Sequence, residues 1–141
     1  MTDQTQLPPP PPPSSAATAD ERTLPIVAYA LYLAGFLTGG LTPIIGVIIA
    51  HASKDNGSAF VRSHYQFLIR TFWITVLALV AGSAAMAVGV VLSIILIGVP
   101  IVMVAGLFLA VVVIWFAVRS VVGLVYAVQS QPYPNPETWM V

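Results

Sequence analysis

Residues 71–118 read TFWITVLALVAGSAAMAVGVVLSIILIGVPIVMVAGLFLAVVVIWFAV, a run of 48 residues without Asp, Glu, Lys, Arg or His. An α-helix needs about 20 apolar residues to cross the ~30 Å hydrocarbon core of a bilayer. The run is therefore long enough for two crossings. A buried helix of a soluble protein offers a shorter apolar stretch, of about 10–14 residues. The sequence predicts a helical membrane protein rather than a soluble domain.

The composition of the whole chain supports this prediction. Of its 141 residues, 58% are hydrophobic and 7% are charged, whereas a soluble domain carries about 25% charged residues. There is no cysteine, which excludes disulfides, thiolate metal ligands and cysteine nucleophiles. Five bases balance five acids, and without a basic run nucleic acid is not an expected partner. We predict an all-α integral membrane protein, a small helical bundle of three apolar blocks surrounded by the lipid bilayer.

The first apolar block, residues 24–52, is interrupted at its centre by TGGLTP. Gly39 and Gly40 are poor helix formers, and Pro43 removes a backbone donor and disfavours helical geometry at the residue before it. Two arrangements are compatible with this break. The block crosses the bilayer once as a tilted, kinked helix, or it forms a short hairpin of segments 24–38 and 41–53. The hairpin would bring the number of membrane segments to four.

Polar interruptions divide the rest of the chain. The stretch SKDNGSAFVRSHY, residues 53–65, predicts a polar loop, because Asn-Gly is a strong turn signal. The second apolar block covers residues 66–96 and the third covers residues 101–128. Gly98-Val99-Pro100 forms the turn between them, since a proline is well placed to open the next helix.

The amino-terminal residues 1–23 include six consecutive prolines, Pro8–Pro13. These fix a polyproline II backbone, and little in this segment can bury apolar area. We expect a disordered spacer, with a docking site for a proline-binding partner as the alternative. The segment lacks the basic start and the cleavage site of a secretory leader. The transmembrane domain then covers residues 24–128, and a polar, mobile tail of residues 129–141 is expected to follow it.

Basic residues predict the orientation, because cytoplasmic loops collect Lys and Arg. Lys54, Arg62 and Arg70 lie within residues 53–70, whereas the turn after the second block carries no charge. We expect residues 53–70 and the carboxyl terminus in the cytoplasm, with the Arg119 side chain extended towards the headgroups. A hairpin in the first block would leave the amino terminus in the cytoplasm too, and a single crossing would place it outside.

Polar side chains in SHYQFLIRTFW, residues 63–73, precede the second apolar block. At 100° per residue, Arg62, Gln66 and Arg70 share one helix face and His64 lies on roughly the opposite face. These groups can anchor the helix at the headgroups, or Gln66 and Arg70 can face the bundle and bind another helix or a substrate. We prefer the anchoring role. The interface anchors or candidate functional polar groups are Arg62, His64, Gln66, Arg70 and Arg119.

Small residues recur at intervals of four along the apolar blocks. In lipid, such stripes allow helix backbones to approach closely. They predict a tight bundle, within one chain or between copies, and replacement of Gly39 or Gly89 by Leu should lower the yield of folded protein. The predicted packing residues are Gly35, Gly39, Ala81, Ala85, Gly89 and Gly106.

The sequence gives little support for a catalytic role. His51 and His64 are the two histidines, and although Asp55 lies four residues from His51, a metal site needs three or four ligands. The phosphate-binding glycine loop and the G-x-S-x-G serine motif do not occur. We expect no enzyme activity, no cofactor and no metal, and an accessory or scaffold role whose partner is the protein itself or another membrane protein. The alternative is a small channel, transporter or protein-translocation component.

Three stretches carry a resemblance to a known family: YALYLAGFLTGGLTPIIGVIIAH, SHYQFLIRTFW, and LIGVPI before the last block. Over residues 26–128 the layout resembles a family of small bacterial polytopic membrane proteins of unknown function, which is distantly similar to the Tic-type import component of the chloroplast inner envelope. The resemblance implies a hairpin in the first block, four membrane segments and both termini in the cytoplasm. It also implies residence in the bacterial inner membrane and a role near protein translocation.

Overall fold

The computed structural model describes residues 18–138, and within this range the chain is helical and contains no strand. The prediction of an all-α fold is confirmed for this part of the chain. The proline run Pro8–Pro13 lies outside the described residues. The helices are α1 (Ala19–Thr38), α2 (Leu41–Ser53), α3 (Ala59–Leu92) and α4 (Gly98–Val128), with a 3₁₀ turn at Ser93–Ile95.

Helices α1 and α2 form a hairpin at the predicted break. Gly39 and Gly40 have φ angles of 63° and 93°, a left-handed conformation that glycine adopts without steric cost. Pro43 lies in the first turn of α2, where no intrahelical partner is needed for a backbone N–H. The two helices approach closely, since a Cβ atom added at Gly35 would lie 2.5 Å from Cγ of Pro43. The first block is thus two packed helices and not one kinked helix.

Three helices begin earlier than their apolar blocks do: α1, α3 and α4, whose start at Gly98 places the predicted turn Gly98-Val99-Pro100 in its first turn. Helix α1 starts at Ala19 because Thr18 and Glu21 form a capping box: the Glu21 N–H donates to Thr18 Oγ1 at 3.3 Å, and the Thr18 N–H donates to Glu21 Oε2 at 3.1 Å. Helix α3 starts at Ala59, after a Ser58 cap. The polar loop predicted for residues 53–65 is therefore shorter, and its second half is the first turns of α3.

Helices α3 and α4 form a longer hairpin. Their 34 and 31 residues correspond to about 51 and 46 Å. Both satisfy the length and hydropathy required of a membrane span, yet only 11% and 17% of the residues in their most apolar windows are buried. The core helix of a soluble protein would be mostly buried, so these two helices are exposed apolar spans of the kind that lipid surrounds.

In the half of this hairpin nearer the connection between α3 and α4, the two helices are in close contact at glycine residues. These positions differ partly from the predicted packing residues. Gly89 packs against Val102, as a Cβ atom added there would lie 2.9 Å from Cγ2 of that residue. Another close contact is made by Gly82, whose added Cβ would lie 2.5 Å from Cδ2 of Leu109. The predicted Ala81 and Ala85 are instead exposed and line an open apolar groove.

The predicted packing role of two further glycines also differs from the structure. An added Cβ at Gly106 would meet Met86 Cε at 3.6 Å, an ordinary contact, so no close approach requires glycine there. At Gly39 an added Cβ would meet nothing within 4 Å. The requirement at Gly39 is for its positive φ angle and not for packing.

The buried core lies at one end of the bundle, where α1, the start of α3 and the end of α4 meet. The Arg22 Nη1 donates to the Val128 carbonyl at 3.4 Å, so the start of α1 lies beside the end of α4. Residues 131–138 follow α4 and return across this end; the mobility expected of the tail stays a prediction. Aromatic side chains dominate the core, which includes Tyr29, Tyr32, Tyr65, Phe67, Phe116 and Tyr133.

Candidate functional site

Helix α3 presents two polar faces at the core end of the bundle, and the structure separates them as the helical arithmetic predicts. His64 and Thr71 are fully buried. Arg62 and Gln66 are exposed and Arg70 is half-buried. The side chains of the buried face contact α1, α4 and the carboxyl-terminal segment, residues 131–138.

His64 bridges two parts of the chain that are distant in sequence. Its Nε2 lies 3.0 Å from the Gln131 carbonyl oxygen, and its Nδ1 lies 3.2 Å from the Tyr29 hydroxyl. A carbonyl oxygen can only accept, so Nε2 carries the proton, and in the neutral ring Nδ1 then accepts from Tyr29. His64 was predicted to be an interface anchor or a functional polar group; its side chain has no exposed surface, and its role stays a prediction.

Arg119, on α4, packs against the centre of the buried face of α3. Its Nε donates to Thr71 Oγ1 at 3.0 Å and its Nη1 donates to the Thr138 carbonyl at 3.0 Å. The guanidinium carbon lies 4.1 Å from the ring centroid of Phe67 and 4.8 Å from that of Trp115, both within cation–π range. Arg119 was expected to extend towards the headgroups. It is instead fully buried, with Nε and Nη1 hydrogen-bonded and the guanidinium against two aromatic rings within the bundle.

The carboxyl-terminal segment supplies partners that the sequence analysis missed. Tyr133 stacks on Phe67 with ring centroids 3.8 Å apart, and its backbone N–H donates to Ser63 Oγ at 3.1 Å. Burial raises the pKa of the Tyr133 hydroxyl, so the phenol stays neutral at physiological pH. The available signal was an aromatic residue between two prolines in QPYPNP, a rigid stretch with one side chain suited to burial.

The exposed face of α3 borders a polar cleft of about 380 Å³ at the end of α2. Gln66 Nε2 donates to Glu137 Oε1 at 3.2 Å, which links this face to the carboxyl-terminal segment. His51 Nδ1 lies 3.2 Å from the Val47 carbonyl of its own helix. The residues that line the cleft are His51, Lys54, Asp55, Arg62, Gln66, Ile69 and Arg70.

The buried face is suited to holding helices together. Each polar atom described above on His64, Thr71 and Arg119 lies against a hydroxyl, a backbone carbonyl or an aromatic ring of the same chain. Within residues 18–138 no group of three or more His, Asp and Glu side chains is placed to hold a metal ion. The role of the exposed polar residues at the headgroups stays a prediction.

A comparison with known protein families gives a match. A family profile described as the magnetosome magnetite crystal formation protein family matches residues 20–141. No curated protein and no solved structure matches the chain, so the expected kinship with the Tic-type import component has no support from these comparisons. The matched range contains both apolar spans and the residues of the buried face. The chain belongs to the magnetosome magnetite crystal formation protein family, a family of small bacterial membrane proteins.

Proposed function

We propose that this protein is a non-enzymatic scaffold in the bacterial membrane at which magnetite crystals form, and that it organises itself or other membrane proteins there. The family match over residues 20–141 is the observation that carries the proposal. The buried polar groups support it, because His64 and Arg119 are engaged in contacts between helices and are shielded from any solute.

In the membrane arrangement that we propose, α3 and α4 cross the bilayer and the α1–α2 hairpin enters from the cytoplasmic side and turns within it. The hairpin turn borders a cavity of about 350 Å³, also lined by Thr75 and Leu79 of α3. These residues lie five and nine positions beyond Arg70, or about 8 and 14 Å along the helix. Helix α3 continues for about 20 Å past Leu79, so the turn reaches only part of the way across.

The backbone donors at the hairpin turn have hydrogen-bond partners within the protein, as a turn inside the bilayer requires. A backbone group exposed to lipid must find its partner within the protein. The Gly40 N–H donates to the Gly35 carbonyl at 2.9 Å, and the Thr42 N–H donates to Thr38 Oγ1 at 3.4 Å. Threonine hydroxyls and the preceding helix thus satisfy donors that the break releases. Both termini of the bundle then lie on the cytoplasmic side, together with Lys54, Arg62 and Arg70.

The scaffold role is tested in a magnetite-forming bacterium that lacks the natural copy of this chain. We expect crystal size or number to change, and to recover with the wild-type chain. A scaffold tolerates single replacement of an exposed ionisable side chain, such as His51→Gln or Asp55→Asn, when the folded protein remains abundant. Loss of crystal formation by either variant at normal abundance would show that the side chain itself takes part, as in an enzyme or a ligand site, and no change on deletion would contradict the role.

The alternative role is a small channel, transporter or translocation component. The helix break within the proposed bilayer depth favours it, because broken helices line transport sites in other membrane proteins. Purified protein in liposomes separates the two roles. Solute or ion flux that requires Arg119, and that Arg119→Ala removes while the protein stays folded, would support transport. Copurification of membrane proteins without flux would support the scaffold.

A further inference from the structure

The chain has few charges, and they are concentrated at one place. Three of its five Lys and Arg residues, Lys54, Arg62 and Arg70, line the cleft between the end of α2 and the exposed face of α3. Arg62 and Arg70 lie eight residues apart on one helix face, about 12 Å along the axis. We propose that this cleft binds the phosphate group of an anionic phospholipid from the surrounding leaflet.

The charge balance of the cleft favours an anion. Asp55 is the one acid among the lining residues, and Glu137 lies at its edge through the bond with Gln66. Three cations against these two carboxylates leave an excess of one positive charge in a chain whose net charge is zero. Guanidinium groups bind phosphate through two parallel N–H donors, which makes the arginine pair the main source of affinity.

The position of the cleft identifies the source of the phosphate. On α3, Arg70 is followed at once by the apolar run, and Trp73 is 53% exposed just beyond it. On α2, the cleft begins at His51, and Ile48 one turn before it is 60% exposed. Both walls of the cleft therefore pass from polar residues to exposed apolar residues. A headgroup in the cleft would have its acyl chains beside Ile48 and Trp73, a surface that a free phosphate ion would not use.

This site lies outside the buried face, and its ligand does not depend on the scaffold role. Basic pockets on the cytoplasmic side of helical membrane proteins bind anionic headgroups, and each Lys or Arg near an anionic membrane surface contributes about a fivefold gain in binding. Neutral phosphatidylcholine has the same acyl chains without the net charge, so it provides the matched control lipid.

Native mass spectrometry of the purified full chain in neutral detergent tests the proposal. We expect phosphatidylglycerol to bind at least fivefold more tightly than phosphatidylcholine. The double variant Arg62→Gln with Arg70→Gln should weaken phosphatidylglycerol binding about 25-fold, and Arg62→Lys with Arg70→Lys, which keeps the charges but not the paired donors, should weaken it less than the Gln pair does. Arg22→Gln removes a cation that lies outside the cleft and should change the affinity less than twofold.

Three results would overturn the proposal. The first is equal binding of the two lipids. The second is a loss with Arg22→Gln as large as that with the cleft variants, which would indicate attraction to overall charge. The third is displacement of phosphatidylglycerol by an equal concentration of inorganic phosphate, which would indicate a site for the free ion. Circular dichroism confirms that the variants are folded, as expected for replacements at a polar cleft.

Discussion

The contact between Gly123 and Tyr29 gives the sharpest test of the packing at the core end. A Cβ atom added at Gly123 would overlap the ring of Tyr29. This ring cannot easily move, because it is fully buried and its hydroxyl is bonded to His64 at 3.2 Å. Gly123→Ala should therefore force α1 and α4 apart or break the bond to His64.

The change in the free energy of unfolding caused by Gly123→Ala is the sum of two opposing contributions. Replacing glycine by alanine within a helix stabilises it by up to about 1 kcal/mol, whereas an added methyl group in a packed core costs about 1–3 kcal/mol. For an overlap with a buried aromatic ring we take the upper value, so Gly123→Ala should destabilise by about 2 kcal/mol. Gly106→Ala is the matched control, since its added methyl meets Met86 Cε at 3.6 Å and only the gain remains.

Unfolding of the purified variants in mixed micelles, followed by circular dichroism, measures both free energies. We expect Gly123→Ala to be about 3 kcal/mol less stable than Gly106→Ala. In a Tyr29→Ala background the cost of Gly123→Ala should disappear, because the ring that it meets is gone. A Gly123→Ala protein as stable as the Gly106→Ala protein would refute the close approach of α1 and α4.

Three further outcomes are expected. His64→Leu should destabilise the protein by about 1–3 kcal/mol, because it leaves buried partners unpaired; equal stability to wild type in the same unfolding assay would contradict the bridge. Tyr133→Ala should release the carboxyl-terminal segment from Phe67 and speed amide hydrogen exchange there; unchanged exchange would contradict the stacking. Gly89→Leu should lower folded yield more than Gly39→Leu, since the first meets Val102 and the second meets no atom and is strained only by its φ angle; the reverse order would contradict this assignment.

Local signals in the sequence predicted several features correctly. The break at Gly39-Gly40 could be predicted because a positive φ angle is a local property that glycine adopts without steric cost. The division of α3 into an exposed face with Arg62 and a buried face with His64 followed from helical periodicity, which is also a local property. Composition alone does not predict the start of α1, because the polar sequence around Thr18 has the composition of a tail, although the capping box of Thr18 and Glu21 is visible in the sequence.

Contacts between distant residues could not be predicted in this way. Arg119 is buried because Thr138 and Thr71 are brought to it by the fold, and no spacing in the sequence reveals that meeting. The small residues present the same difficulty. Gly82, and not Ala81, lies in the contact because Leu109 of α4 points there, and a chain rich in small residues offers several equivalent stripes.

The membrane arrangement is tested most directly by labelling single cysteines, since the natural chain has none. Three exposed positions suffice: Asn56 in the loop before α3, Leu41 at the hairpin turn and Ile97 between α3 and α4. With a membrane-impermeant maleimide, Asn56→Cys should react from the cytoplasmic side and Ile97→Cys from the opposite side. Leu41→Cys should react from neither side until detergent is added. Reaction of Leu41→Cys from the same side as Ile97→Cys would show that α1 and α2 each cross the bilayer, and would contradict a hairpin that turns within it.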